Sequence, residues 1–340
     1  MKQLLKRSAG AAIRAADRTG LIDCLERLPE RSGLLRVLTY HRIVARDDPG
    51  VCPGLWSATP AGFERQMCEV AARYDVVSLA DVVAAGRGER DLPPRALLIT
   101  FDDGYRDFDT NAWPVLDRMG LPATLFVATA LPDAPEQAFW WDRLFAALTR
   151  TERREPLATP AGLLSLATAQ DRLAAFGRLK ATVKRSSAAA ARALVDDLSR
   201  ELGAPHPQAH VLGWDALRRL STRGVSVCPH TRTHPQLDRV TEAEARAEVR
   251  GAIEDLRREI HDVPPVFCFP DGRFTTATLR ILGEEGIELA FTTARGVNAF
   301  PSREPLLLRR IPVGPRSTQA LLRAQLLAFS MASAWRGASR

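Results

Sequence analysis

Ala96-Leu97-Leu98-Ile99-Thr100-Phe101-Asp102-Asp103-Gly104 is the stretch whose reading decides how this chain folds. Ala96 to Ile99 is a continuous apolar run ending at Thr100, the pattern of a strand buried on both faces of a mostly parallel sheet. Asp102 and Asp103 then emerge at the strand's C-terminal end, and Gly104 permits a sharp turn. Much further along, Val225-Ser226-Val227-Cys228 leads a second strand into Pro229-His230-Thr231-Arg232-Thr233-His234. Both polar clusters therefore sit at strand C-termini, where barrel enzymes keep their sites.

The chemistry of the two clusters is complementary. Neutral imidazole plus carboxylate suits zinc, and three protein ligands leave a coordination position open for water. Two ionised aspartates side by side repel each other, so giving one to a cation relieves the conflict and leaves the other as a proton acceptor. Taken singly, an Asp-Asp-Gly after a strand is an ordinary turn, and two histidines four apart can be a solvated helix face. Their joint occurrence behind plausible strands, in a chain with six histidines, favours a metal site.

Thr-Phe-Asp-Asp-Gly followed by His230-Thr231-x-x-His234 resembles the polysaccharide deacetylase family, the carbohydrate esterases that share the chitooligosaccharide deacetylase homology domain. Further segments resemble that family in the expected order: Leu38-Thr39-Tyr40-His41-Arg42-Ile43, Tyr74-Asp75-Val76-Val77-Ser78-Leu79, Phe267-Cys268-Phe269-Pro270-Asp271-Gly272 and Ala290-Phe291-Thr292-Thr293. The Tyr40-His41-Arg42 segment is similar to the exopolysaccharide-type branch. The resemblance implies an α/β fold, a distorted, incomplete (β/α) barrel of about seven strands with a helical insertion. It also implies removal of N-acetyl groups from amino sugars of a glycan or lipid-linked saccharide. Asp102 would be the general base, and Asp103, His230 and His234 would hold a divalent metal, Zn2+ by the donor set. Thr231 would tie the histidine loop through its hydroxyl. Pro270, Asp271 and Arg309 would lie on the oxyanion and substrate side, with the Asp271 N–H as the oxyanion donor. In such a site a metal lowers the pKa of its bound water toward ~7, and an amine leaving group needs a general acid.

The chain departs from the family pattern at three places. Cys268 stands where many members carry an arginine that orients the base, and neither an Asp-x-x-x-Trp nor a late Leu-x-His motif is found. His41 is the candidate replacement acid, its alternative being a structural histidine at a strand end. Arg309 or Arg310 could replace the missing arginine beside Asp102, the alternative for either being a surface role. Cys268, in a Phe-rich strand, reads as a small buried hydrophobe. His206, His210 and His261 read as surface residues. Two other functions remain open: hydrolysis of another linear or cyclic amide, and an inactive barrel that binds a glycan or partner.

At 340 residues and 46% hydrophobic, the chain can bury one large core. Residues 1–34 read as a basic helical segment, 35–320 as the barrel with a helical insert at about 137–212, and 321–340 as a C-terminal helix or tail. Within the insert, Arg172 to Leu202 reads as helix, and Phe139-Trp140-Trp141 reads as a packing anchor or a sugar-stacking surface. Glu64–Tyr74 and Asn111–Met119 are expected helices, Val76-Val77 a strand, and Thr241-Glu242-Ala243-Glu244 a capping box. Five cysteines without a C-x-x-C pair favour a reduced compartment. Arg14, Asp17 and Arg18 interrupt any signal-like apolar run, so a cytoplasmic protein is expected. Lys2, Lys6, Arg7, Arg14 and Arg18, in a chain of net charge +7, would favour peripheral contact with anionic membrane on its inner face. No nucleic-acid motif is found.

Overall fold

The computed structural model describes residues 11–13, 15–27, 32–45, 50–134, 138–203 and 210–338. Seven parallel strands follow one another: β1 (Leu34–Tyr40), β2 (Ala96–Phe101), β3 (Ala123–Val127), β4 (Val225–Pro229), β5 (Val266–Cys268), β6 (Leu289–Arg295) and β7 (Leu308–Pro312). Hydrogen-bonded neighbours run in the order β5-β6-β7-β1-β2-β3-β4, so the sheet curls into a barrel. Among the described residues only the seam between β4 and β5 lacks a ladder. This is the incomplete (β/α) barrel that the sequence led us to expect.

Side chains alternate across a strand, and here they sort into an inward and an outward set. Leu35, Val37, Leu98, Phe126, Cys228, Val266, Cys268, Phe291 and Leu308 share the barrel interior with Val82 and Val83 of the helix Leu79–Gly86. Their neighbours Leu38, Tyr40, Leu97, Ile99, Phe101, Val227 and Ile311 face outward onto Phe63, Met67 and Val70 of the helix Pro60–Arg73. Carrying the inward parity one step past each strand end points residues 41, 102 and 230 into the mouth of the barrel. Parity thus assembles the site before any loop is considered.

Between β3 and β4 lies an insert with its own apolar cluster, including Leu144, Leu148, Phe176, Leu179, Val195 and Leu198. It comprises α1 (Trp140–Arg150), a hairpin pairing Leu157–Thr159 with Gly162–Leu164, α2 (Ala169–Arg185) and α3 (Ala188–Glu201). The expected single helix over 172–202 is therefore two helices. Ser186 ends the first and Ser187 caps the second, its hydroxyl accepting from the Ala190 N–H at 3.3 Å. The hairpin was not anticipated. The helix expected over 111–119 spans Trp113–Arg118, after a wider π-turn at Phe108–Ala112. The short strand is Asp75–Val76, and the Thr241 capping box is present.

Lys2, Lys6, Arg7 and Arg14 lie outside the described residues. The described part of that segment meets the fold through its acids rather than its bases. Asp17, Asp23 and Glu26 all accept hydrogen bonds from Arg323 of the helix Gln319–Ala338. No described helix is long and apolar enough to cross a membrane.

Candidate metal centre and catalytic site

Asp102 and Asp103 leave β2 toward different partners because the backbone turns between them. Asp103 (φ 73) and Gly104 (φ 68) are both left-handed, and a Cβ on Gly104 would press on Val127 at 3.3 Å. Both carboxylates are buried. Asp102 accepts two parallel hydrogen bonds from Arg310 of β7, Nη1 to Oδ1 at 2.7 Å and Nη2 to Oδ2 at 2.8 Å. Arg310 Nε donates to the Thr292 carbonyl at 2.9 Å, which fixes the fork. Burial pushes the Asp102 carboxyl up, but Arg310 outweighs it and holds the group well below the usual carboxylate range. Asp102 is therefore ionised and aimed.

Arg310, not Arg309, takes this place. Arg309 is exposed on the barrel's outer face, and among the described residues only its backbone N–H and C=O are engaged, both with Asn298. Neighbouring residues on a strand face opposite ways, so one of the pair had to point outward.

Asp103 faces the histidines. Its Oδ1 lies 3.7 Å from His230 Nε2 and 3.4 Å from His234 Nε2, and is buried without a hydrogen bond among the described residues. An orphaned carboxylate oxygen there costs stability unless a ligand meets it. The three donor atoms lie within 4.8 Å of one another. Those separations suit a tetrahedral zinc, whose ligand atoms at about 2.0–2.2 Å from the ion would stand about 3.4 Å apart. His230 Nδ1 lies 2.7 Å from the Cys268 carbonyl, a contact that spans the β4/β5 seam. That carbonyl selects the tautomer with hydrogen on Nδ1, leaving the Nε2 lone pair free. Burial and neighbouring His234 push the His230 imidazole down to about 4, so it is neutral.

Thr231 ties the histidine loop through its hydroxyl, which accepts from the His234 N–H at 3.0 Å and donates to the His230 carbonyl at 2.5 Å. Thr231 and His234 both adopt φ near +60° (63 and 61). Such strain persists only when neighbours hold it: Glu248 Oε2 accepts from the N–H groups of Arg232 and Thr233, each at 2.8 Å. Trp141 and Phe139 pack against the His234 ring, with centroids 4.8 and 5.5 Å away. The insert thus buttresses a candidate ligand through two of its three leading aromatics, while Trp140 remains half-buried.

His41 Nε2 stands 3.9 Å from Asp102 Oδ2, with 31% of its side chain exposed. Its backbone N–H donates to Ser57 Oγ at 2.9 Å. Pro270 is buried behind Asp271, which is left-handed (φ 53) and whose N–H has no backbone partner among the described residues. The Asp271 carboxylate accepts from Lys184 at 2.5 Å and Gln236 at 2.6 Å. Burial works against ionisation, but Lys184 brings the group down to about 2. Neither Lys184 nor Gln236 was singled out from the sequence.

Cys268 offers a second grouping, with Asp102 and His230. It fails as a ligand set because Arg310 occupies both Asp102 oxygens and burial pushes the thiol well above its ordinary value. His210 and His261 are exposed, and His206 lies outside the described residues. All five cysteines are free.

With fold and site in place, comparison with known proteins assigns the class. The polysaccharide deacetylase family matches residues 89–290, and the chain belongs to that family. A 62-residue stretch is 39% identical to the poly-beta-1,6-N-acetyl-D-glucosamine N-deacetylase of Escherichia coli K12, covering 18% of this chain and 9% of that protein. This match lies on the exopolysaccharide side of the family. The Bacillus subtilis protein YxkH, whose name places it among polysaccharide deacetylases, is 20% identical over 221 residues, 65% of this chain and 52% of its own. The chain thus spans a small part of the first relative and about half of the second. The structure of the Streptococcus pyogenes deacetylase PplD in complex with acetate superposes with a TM-score of 0.58 at 17% identity, covering 87% of this chain and 99% of that one. At that identity the likeness is one of fold.

Proposed function

We propose that this protein is a divalent-metal-dependent hydrolase that removes the acetyl group from an N-acetylated saccharide, with zinc as the ion its donor set suits. One observation carries the reading: an orphaned Asp103 oxygen beside two buried imidazoles, next to a second carboxylate that Arg310 keeps ionised. Asp103, His230 and His234 would hold the ion. When bound, such an ion supplies Lewis acidity, acidifying a water and polarising an acyl oxygen.

The chain's own residues account for the remaining steps. Asp102 takes the proton of the attacking water, its orientation locked by the two bonds from Arg310. The Asp271 N–H donates to the oxygen on which negative charge develops; one such donor is worth about 10²–10³ in rate. His41, facing Asp102 at the rim, gives the departing amine its proton. Arg310 supplies from β7 the cation that Cys268 does not supply from β5, so the sequence departure at Cys268 is no argument for an inactive barrel.

Metal analysis combined with acetate release from N-acetylated oligosaccharides tests the reading. Near-stoichiometric divalent metal, lost in His230→Ala/His234→Ala, is expected. Asp102→Asn should keep the metal and lose turnover. Full metal occupancy in the double histidine variant, or equal metal loss in Asp102→Asn, would overturn the assignment of roles.

A further inference from the structure

A cleft of about 390 Å³ opens from His234 and Asp271 and runs between the histidine loop and helices α1, α2 and α3 of the insert. Its walls carry four cationic side chains, Arg143, Lys184, Arg192 and Arg239, against one acidic side chain, Asp271. Two of the four are already matched: Lys184 bonds Asp271, and Arg143 bonds Asp196. Arg192 and Arg239 are exposed and form no ion pair among the described residues. Glu244 feels Arg192's charge but forms no ion pair with it, and holds the Thr241 N–H at 2.7 Å and the Thr241 hydroxyl at 2.8 Å on one oxygen.

Two further features give the cleft its character. The elements bearing these arginines touch: the Ala188 N–H donates to the Arg239 carbonyl at 3.4 Å. Helix α3 starts at this point with no acidic residue in its first turn, so its N-terminal N–H groups add potential of the same sign. Half-buried Trp140, with Leu131, Val183 and Val195, forms an apolar floor suited to a sugar face. Guanidinium groups that form no ion pair, beside a site built to hold a cation, repel that cation. The arrangement becomes favourable only when the ligand brings negative charge.

Building on the deacetylase reading, we propose that the saccharide carries an anionic group, phosphate or carboxylate, on or next to its N-acetyl sugar. Arg192 and Arg239 receive that group while Trp140 covers a sugar face. They act as specificity-determining residues and take no part in the chemistry. The guanidinium fork suits either anion.

Three probes test this on the metal-loaded protein, by calorimetric binding and by acetate release: an N,N′-diacetylated glucosamine disaccharide, the same disaccharide as its 1-phosphate, and an N-acetylglucosaminyl-glucuronate disaccharide. At least one anionic probe should bind about tenfold tighter than the neutral one, the size two partly exposed charge contacts give. That advantage should shrink as salt rises. In Arg192→Gln/Arg239→Gln the ratio of anionic to neutral kcat/KM should fall toward one, mainly through KM, and Arg192→Lys/Arg239→Lys should restore part of it. The two anionic arms identify which group is read. Equal binding of all three probes, or an advantage that survives the glutamine variant, overturns the proposal. Charge-selective binding without acetate release would refute the deacetylase reading and leave the cleft assignment standing. Acetate release without charge preference would do the reverse.

Discussion

Replacing Arg310 with methionine probes the site at its most buried contact. The side chains of Arg310 and Asp102 are 2% and 5% exposed, and they share bonds of 2.7 and 2.8 Å. Methionine removes both bonds together with the Nε bond to Thr292, leaving a buried carboxylate without its counter-charge. Breaking one side of a buried pair costs about 3–5 kcal/mol. In a domain of this size each kcal/mol lowers Tm by about 2–4 °C, so a fall of about 6–20 °C is expected in thermal unfolding. Turnover should drop at least ~10²-fold, because the base loses both its orientation and its ionised form. Metal content should stay near wild type, since Asp103, His230 and His234 do not touch Arg310. The decisive assay is a double-mutant cycle with Asp102→Asn. If the pair is coupled as the geometry implies, the double variant is far less destabilised than the sum of the singles. Additive losses, or an Arg310→Met protein as stable and active as wild type, would refute the pairing argument. Arg310→Lys should recover charge without the fork, and hence only part of the activity.

Two other perturbations follow from the same geometry. His41→Ala should slow deacetylation of an N-acetyl sugar by ~10²–10⁴-fold, as loss of a general acid does, yet spare an aryl acetate whose oxygen leaves without help. Equal loss on both substrates, with metal retained, would make His41 structural. Asp142, buried beneath Trp141, accepts from the Tyr105 hydroxyl at 2.8 Å, and burial raises its carboxyl to about 7. Its folded pKa is above its unfolded one, so the folded state holds the extra proton between pH ~4 and ~7. Stability therefore falls across that window as pH rises, by about 1.4 kcal/mol per pH unit at most. Asp142→Asn keeps the acceptor for Tyr105 and should flatten the dependence, raising Tm at pH 8 more than at pH 4 in metal-stripped protein. An unchanged slope in denaturation against pH would show that another group titrates there.

The parts of the site visible in the sequence are those a single strand end can specify. Ala96–Ile99 announces a strand buried on both faces, so the carboxylates after it were readable as strand-end residues. The same holds for Val225–Cys228 and His230. Choosing between Arg309 and Arg310 required the parity of β7, which Leu306-Leu307-Leu308 conceals: three consecutive leucines carry no period of two, and Pro305–Leu307 turns out to be a 3-10 turn before the strand begins. Lys184 could not be found at all, because its contact with Asp271 joins the insert to the β5 loop across 87 residues, and no local pattern records such a pairing. The Cys268 departure shows why position in a motif is a weaker guide than position in space. Asp102 points to the barrel axis, and any inward-facing residue near the mouth can reach it from any wall. A guanidinium from β7 therefore satisfies the same carboxylate as one from β5, provided its own strand parity is inward. Arg310 has that parity and Cys268 shares the interior with it, so Asp102 finds its guanidinium on β7 although the residue at position 268 on β5 is a thiol.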